Sequence, residues 1–416
     1  MVVPIGKTLV TSALPYVNNV PHLGNLIGAV LSADVYARYA KSRYGDEDVL
    51  FVCGADEHGT TTEIKAKEEG LTPQQLCDKY YTIHKGIYDW FGIEFDIFGR
   101  TAHPTQVERT QAIFRKLYDN GYIVEDELEQ PYDEHAQRYL SDRYVEGTCP
   151  HCGSEEARGD QCDACGRMLD PTDLVKPVSK VSGTTPVIKR VKHLFLDLEK
   201  LQPKLEEWVE AKGEEGGWSA NALNITRGWL KEGLKKRCIT RDLEWGVPVP
   251  LEGWEGRVFY VWFDAPIGYI SITEQLLGGD YEDWWKNPDN TRLVQFMGKD
   301  NIPFHTILFP ASLLGTGERG PGLRLARGRV VDIREAPRGP RHMIAVDEMR
   351  QVHGRLLPNP CAGVYHCENP AIKWGKRKAA LQDCKAHEVG RSARLSGGGP
   401  GGPARRRGPG AGARHG

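Results

Sequence analysis

Four of the ten cysteines in this 416-residue chain form two C-x-x-C pairs, Cys149/Cys152 and Cys162/Cys165, each followed by a glycine. Two pairs at this spacing suit a closed tetrahedral thiolate site, in which one structural zinc ion folds the chain and keeps no open position for catalysis. A redox dithiol is the competing reading, and it needs only one pair. Cys53, Cys77 and Cys238 stand apart and read as small buried hydrophobes. A second group runs Ala13-Leu14-Pro15-Tyr16 and then Pro21-His22-Leu23-Gly24-Asn25. A histidine and a glycine at the opening of a helix can hold phosphate, because unpaired amides and the positive end of the helix dipole face the anion. On their own, four such residues are structural more often than functional.

The elements that must hold these groups alternate. Residues 7–13 read as a buried strand and 15–21 as a Pro/Asn turn, and apolar spacing of three and four starts a helix near Gly24 that Gly45 ends. A strand at 49–53, a loop at 54–59, and helices at 60–69 and 73–90 follow. The alternation predicts an α/β fold, a doubly wound parallel sheet with helices on both faces. Between Gly121 and Trp218 turn signals and the cysteine pairs replace long periodic segments, which predicts an insertion. Strand patterns return at 258–263 and 292–297, with helices at 265–277 and 303–314. The expected division is 1–120 and 219–318 for the two halves of the sheet domain, 121–218 for the insertion and 319–416 for a basic, Arg/Gly/Pro-rich tail that is mostly irregular and disordered.

Four blocks in order carry a resemblance. PHLGN at 21–25, FVCGADEHG at 51–59, YVWFDAPIGY at 260–269 and FMGKD at 296–300, with Phe304-His305 behind it, are similar to the signatures of class I aminoacyl-tRNA synthetases in the form found in methionyl enzymes. The resemblance implies a Rossmann-like catalytic domain with a zinc-bearing insertion. It implies ATP-dependent activation of methionine and transfer to tRNA(Met), with magnesium accompanying ATP. By position it implies that Ala13, Leu14, Tyr16, Trp262, Ala265, Pro266, Tyr269 and His305 line a methionine pocket and that Asp56 holds the α-ammonium. It implies nucleotide contacts from His22, Gly24, Asn25, Gly298, Lys299 and Asp300, and an active-site role for Arg241. It also assigns one zinc to Cys149, Cys152, Cys162 and Cys165, because Asp133, Ala136, Ser179 and Ser182 occupy the cysteine positions of a second knuckle.

The resemblance is incomplete after about residue 318. The K-M-S-K-S type of lysine loop and a helical anticodon-binding domain are expected beyond Gly317, and no K-x-S-K-S occurs there. The expectation is a truncated or frame-shifted end and impaired adenylate formation. The readings left open are a synthetase for another amino acid and a non-catalytic, zinc-stabilised RNA- or protein-binding remnant.

Composition bounds the partners. The formal net charge is −2, yet residues 319–416 hold 20 Lys and Arg against 7 Asp and Glu, so the remainder is acidic. An acidic body makes RNA contact a local matter. No apolar run reaches the roughly 18 residues of a membrane span, and the first residues do not read as a secretion signal. The expectation is a cytoplasmic enzyme with no membrane and no DNA partner.

Overall fold

The computed structural model describes residues 6–317, except 160–161, 163, 166–168, 215–217 and 288–289, together with 329–332. The Arg-rich end, its Cys361, Cys367 and Cys384, and the break expected near Glu318 lie outside the described residues.

The main sheet has five parallel strands. β1 (Lys7–Ser12), β2 (Val49–Ala55) and β3 (Ile97–Arg100) build one side. The insertion holds β4 (Ile123–Asp133), β5 (Arg138–Tyr139), β6 (Val145–Thr148), β7 (Ala157–Arg158), β8 (Val175–Ser179) and β9 (Val187–Leu196), and then come β10 (Arg237–Cys238), β11 (Thr240–Arg241) and β12 (Val258–Phe259). β13 (Thr291–Met297) and β14 (Arg329–Asp332) complete the main sheet in the order β14-β13-β1-β2-β3. The chain winds outward from β1 through β2 and β3, then returns to β13 on the other side. That reversal opens a crevice at the carboxyl ends of β1 and β13, where open α/β sheets bind ligands.

Alternation buries both faces. Val10, Phe51, Val294 and Phe296 pack with Leu26, Val30, Ala33, Ala37 and Ala40 of the helix at 23–44. Leu9, Val52, Leu293 and Met297 face the opposite way, into the larger core with Ile272, Ile307 and Phe309. A parallel sheet covered on both faces reads as near-continuous apolar runs, as here. Gly54 and Gly99 are register partners, and a Cβ on either would come within 2.5 to 2.6 Å of Ile272. The bare backbone therefore lets the helix Gly268–Leu277 sit against β2 and β3.

The second sheet joins β4 and β9 antiparallel from Ile123↔Leu196 to Tyr132↔Val187, with β5 and β10 on its edges. β7-β6-β8 forms a small sheet beside the cysteines.

Several local expectations change. The run 258–263 is strand only at Val258–Phe259; from Val261 it is helical, with Phe263 N–H donating to the Tyr260 carbonyl. A 17-residue helix, Leu198–Glu214, occupies ground read as lacking long periodic segments. Its Leu198, Leu201, Leu205 and Val209 recur at helical spacing and are buried in the main core. Arg329–Asp332, within the tail, pairs with Val294–Met297 as a further parallel strand.

Candidate methionine and nucleotide site

The loop leaving β1 is tied to the end of β2. Asp56 N–H donates to the Pro15 carbonyl at 2.9 Å, and Val17 N–H to the Asp56 carbonyl at 3.2 Å. Glu57 ties the end of β2 to the end of β3: its carboxylate takes Arg100 Nη2 at 2.7 Å and the Ala102 amide at 3.0 Å, while its own amide donates to Thr101 Oγ1. Asp56 is thereby held at the carboxyl edge of the sheet by backbone and not by its own side chain.

A cavity of about 90 Å³ opens at this point. Ala13, Leu14, Tyr16, Asp56, Trp262, Ala265, Pro266, Tyr269 and His305 all line it, and so do Val261, Asn301 and Phe304, to which the sequence reading gave no pocket role. Its walls come from the β1 and β2 loops, the helical run 261–277 and the helix at 304–315.

The polar groups divide sharply. The Asn301 carbonyl can only accept, so His305 Nδ1 carries the proton and donates to it at 2.8 Å. Nε2 is then the acceptor for Tyr269 Oη–H, also at 2.8 Å. Burial holds the His305 imidazole down at about 4, with the Asn301 bond working against that, so the ring is neutral at ordinary pH. Burial likewise pushes the Tyr269 phenol well above its usual value. This wall is therefore uncharged and satisfied from within.

Asp56 is the opposite. It is 4 % exposed, and its Oδ1 has no hydrogen-bond partner among the described residues. Burial first, then the nearby Asp264 and Glu57 carboxylates, push its pKa well above the ordinary range. A buried, unsatisfied carboxylate oxygen is costly unless a cation arrives. Asp264 is a further residue the sequence reading passed over. Its Oδ2 lies 2.6 Å from His58 Nδ1, its carbonyl accepts from Gln106 Nε2 at 2.6 Å, and its Oδ1 has no partner among the described residues. Asp264 sits inside a quoted block, but nothing local pairs it with His58.

The residues expected to meet nucleotide lie outside this cavity. His22, Gly24 and Asn25 are exposed at the opening of the helix at 23–44. His22 Nδ1 accepts the Gly24 amide at 3.0 Å, which places the proton of a neutral ring on Nε2 as a donor. Gly298, Lys299 and Asp300 are exposed where β13 ends. β1 and β13 are adjacent, with Ser12 opposite Phe296 and Ala13 N–H donating to the Phe296 carbonyl, so both groups share the crevice edge of the sheet. Arg241 is not a cavity residue; its guanidinium lies 3.8 Å from the Tyr260 ring centre and donates to the Thr240 carbonyl.

The four cysteines meet. The Sγ atoms of Cys149, Cys152, Cys162 and Cys165 all lie within 4.8 Å of one another, with Cys149 to Cys165 at 3.9 Å and Cys152 to Cys162 at 3.5 Å. Sulfurs held tetrahedrally at about 2.3 Å from a zinc ion stand about 3.8 Å apart. The group can hold a metal ion. Cys149 and Gly153 close the knuckle, the Gly153 amide donating to the Cys149 carbonyl at 3.0 Å with φ +76°.

The positions of the second knuckle also meet, without sulfur. Asp133 Oδ2 accepts from the hydroxyls of Ser179 and Ser182, and Oδ1 accepts the amides of His135 and Ala136 at 3.0 and 2.9 Å. Burial alone would raise the Asp133 pKa, and these four donors outweigh it and hold the carboxyl down at about 2.

Among relatives, the chain is 58 % identical over 311 residues to the probable cytoplasmic methionine–tRNA ligase of Schizosaccharomyces pombe, covering 75 % of this chain and 39 % of that one. It is 58 % identical over 309 residues to the cytoplasmic methionine–tRNA ligase of Homo sapiens, covering 74 % and 34 %. The chain thus spans about two fifths or less of these relatives. A solved Mycobacterium tuberculosis methionyl-tRNA synthetase in complex with methionyl-adenylate shares the fold, with a TM-score of 0.58, 21 % identity and coverage of 84 % of this chain and 64 % of that one. The family described as tRNA synthetases class I (M) matches residues 8–329, a little beyond the point near 318 where the resemblance was expected to end. With its parallel sheet, its switch-point cavity and that match, the chain belongs to the class I (M) tRNA synthetases.

Proposed function

We propose that residues 1–120 and 219–318 form the two halves of a catalytic domain that activates methionine with ATP and passes it to tRNA(Met), with 121–218 as its metal-bearing insertion. The observation that carries this reading is the unpartnered Oδ1 of buried Asp56 beside an aromatic, otherwise neutral cavity. An α-ammonium satisfies Asp56, and a polarizable thioether suits walls made by Trp262, Tyr269 and Phe304. Neutral His305 with its satisfied Tyr269 contact offers no charge to a polar side chain.

The reaction needs no side-chain nucleophile. A carboxylate oxygen of methionine bonds to the α-phosphorus of ATP, and pyrophosphate leaves with the electron pair of the broken P–O bond. A terminal hydroxyl of tRNA then attacks the acyl carbon, and AMP leaves. The chain's contribution is position and charge: Asp56 anchors the amino end, the cavity the side chain, and His22 Nε2–H, the amides opening the helix at 23–44 and Lys299 meet phosphate oxygens. Magnesium arriving with ATP neutralises phosphate charge. Arg241, on the strand next to Tyr260, acts from the cavity's flank. The four thiolates suit one structural zinc ion, which folds the insertion and takes no part in the chemistry. The named relatives are cytoplasmic, and no described helix is long and apolar enough to cross a membrane; we place the activity in the cytoplasm.

The test is equilibrium binding of methionine, norleucine and leucine to the full chain. Methionine should bind best, norleucine next and leucine not measurably. Equal binding of leucine, or no binding of methionine, overturns the assignment.

A further inference from the structure

Arg237 is half-buried on β10, and its guanidinium makes no hydrogen bond or ion pair among the described residues. Its neighbours are aromatic instead. The guanidinium carbon lies 5.1 Å from the Trp262 ring centre and 5.9 Å from that of Phe304. These two rings are walls of the methionine cavity, yet they come from separate helices. The residue after Arg237 reinforces the contact, because the Cys238 carbonyl accepts Trp262 Nε1–H at 3.1 Å. One short strand therefore holds Trp262 by face and by edge, and reaches Phe304 with the same cation.

A guanidinium with no carboxylate partner among the described residues is disfavoured here by burial and by the like charge of Arg241, with Tyr260 acting the other way. The stacking supplies what a carboxylate would otherwise supply: each ring face attracts the cation, and more strongly where water is excluded. Arg237 itself is not a cavity-lining residue. Its effect on a ligand must pass through the two rings.

We infer that Arg237 is a positioning residue: its guanidinium clamps Trp262 and Phe304 together and so sets the width of the slot that takes the methionine side chain. This deepens the methionine-activation reading and rests on it for the identity of the ligand. The clamp itself does not, since it is a property of the free protein.

Three variants of the full chain separate the possibilities. Arg237→Lys keeps the cation, Arg237→Met keeps the apolar bulk without charge, and Arg237→Gln keeps neither. The chain is labelled with 5-fluorotryptophan, and the Trp262 fluorine resonance is assigned by its loss in Trp262→Phe. In Arg237→Met and Arg237→Gln that resonance should shift and broaden, while Arg237→Lys should stay near wild type. In parallel, the methionine Kd should rise roughly five- to thirty-fold in the Met and Gln variants, the ratio of methionine to norleucine affinity should fall, and ATP affinity should hold. A Trp262 resonance unchanged in Arg237→Met overturns the clamp, whatever methionine does. So does a loss of thermal stability alone, with methionine affinity and discrimination intact. If the resonance responds but wild type binds no methionine, the clamp stands and the methionine reading falls.

Discussion

His58 Nδ1 lies 2.6 Å from Asp264 Oδ2, joining the loop after β2 to the helical run that forms one wall of the cavity. The two residues are 206 positions apart, and the pair brings a third carboxylate into the neighbourhood of Asp56 and Glu57. The site is thus a floor of clustered carboxyl groups under an apolar slot, matched to a ligand with a cationic end and an apolar side chain.

On the proposed reading, that floor makes methionine binding proton-linked. The free Asp56 carboxyl has its pKa raised by burial and by Asp264, so below that value it holds a proton which an arriving ammonium must expel. Affinity should climb by up to about tenfold per pH unit from the ordinary carboxylate range to the raised pKa and then level off. Asp264→Asn removes a like charge and should move the rise to lower pH. Calorimetry across pH, in buffers of different ionisation enthalpy, reads both affinity and proton release; a flat profile, or no acid shift in the variant, contradicts this.

One metal ion per chain is expected, held by Cys149, Cys152, Cys162 and Cys165. A strong chelator, or Cys149→Ser with Cys152→Ser, should remove it and abolish amide-exchange protection in β6 to β8, because metal binding free energy at such a site is folding free energy. Two ions by elemental analysis, or protection unchanged after chelation, would count against it.

The Asp133 cluster should behave differently. Its carboxyl is held at about 2, below the ordinary 3.8, so its stabilisation is fully present above 3.8 and lost as pH falls through 2. Asp133→Ala strands two hydroxyls and two amides and should cost about 2–4 kcal/mol. Chelators should leave this contribution untouched. Urea titrations of wild type and variant at neutral pH and at acid pH check both statements; an equal difference at all pH values contradicts them.

Gly298 has open space where a Cβ would stand, with φ −72° and ψ 158°, so the free chain has no need of glycine there. Gly298→Ala should leave the Tm unchanged. If a nucleotide lies against this backbone, the same methyl should weaken ATP by about 1–3 kcal/mol. Unchanged ATP affinity would remove Gly298 from the site.

Local signals read well and distant ones did not. The helices Thr60–Glu69 and Pro73–Trp90 have the bounds read from sequence, because Gly70 in the left-handed region and the Thr72–Gln75 capping box are short-range devices. The run 258–263 misled because aromatic and β-branched residues favour strand, while the packing of Trp262 and Phe263 around the cavity and core imposes helix. Leu198–Glu214 had the right spacing and was masked by the turn-rich stretch before it. The nine cavity residues came from motif resemblance and not from periodicity. His58 with Asp264, Glu57 with Arg100, and Arg237 with Trp262 and Phe304 are unions across the fold that no window of sequence displays. The positions of Asp133, Ser179 and Ser182 were recognised as lacking cysteine, but the carboxylate-centred network that fills the gap is a three-dimensional fact.

The central claim is that Asp56 receives the ammonium of methionine in this cavity. Calorimetric titration above the raised pKa of Asp56 tests it, comparing wild type with Asp56→Asn. A buried charge-assisted bond implies a loss of roughly ten- to a hundredfold for methionine in the variant, and no loss for 4-(methylsulfanyl)butanoate, which has the thioether and carboxylate but no amine. Equal methionine affinity in the two proteins would contradict the account.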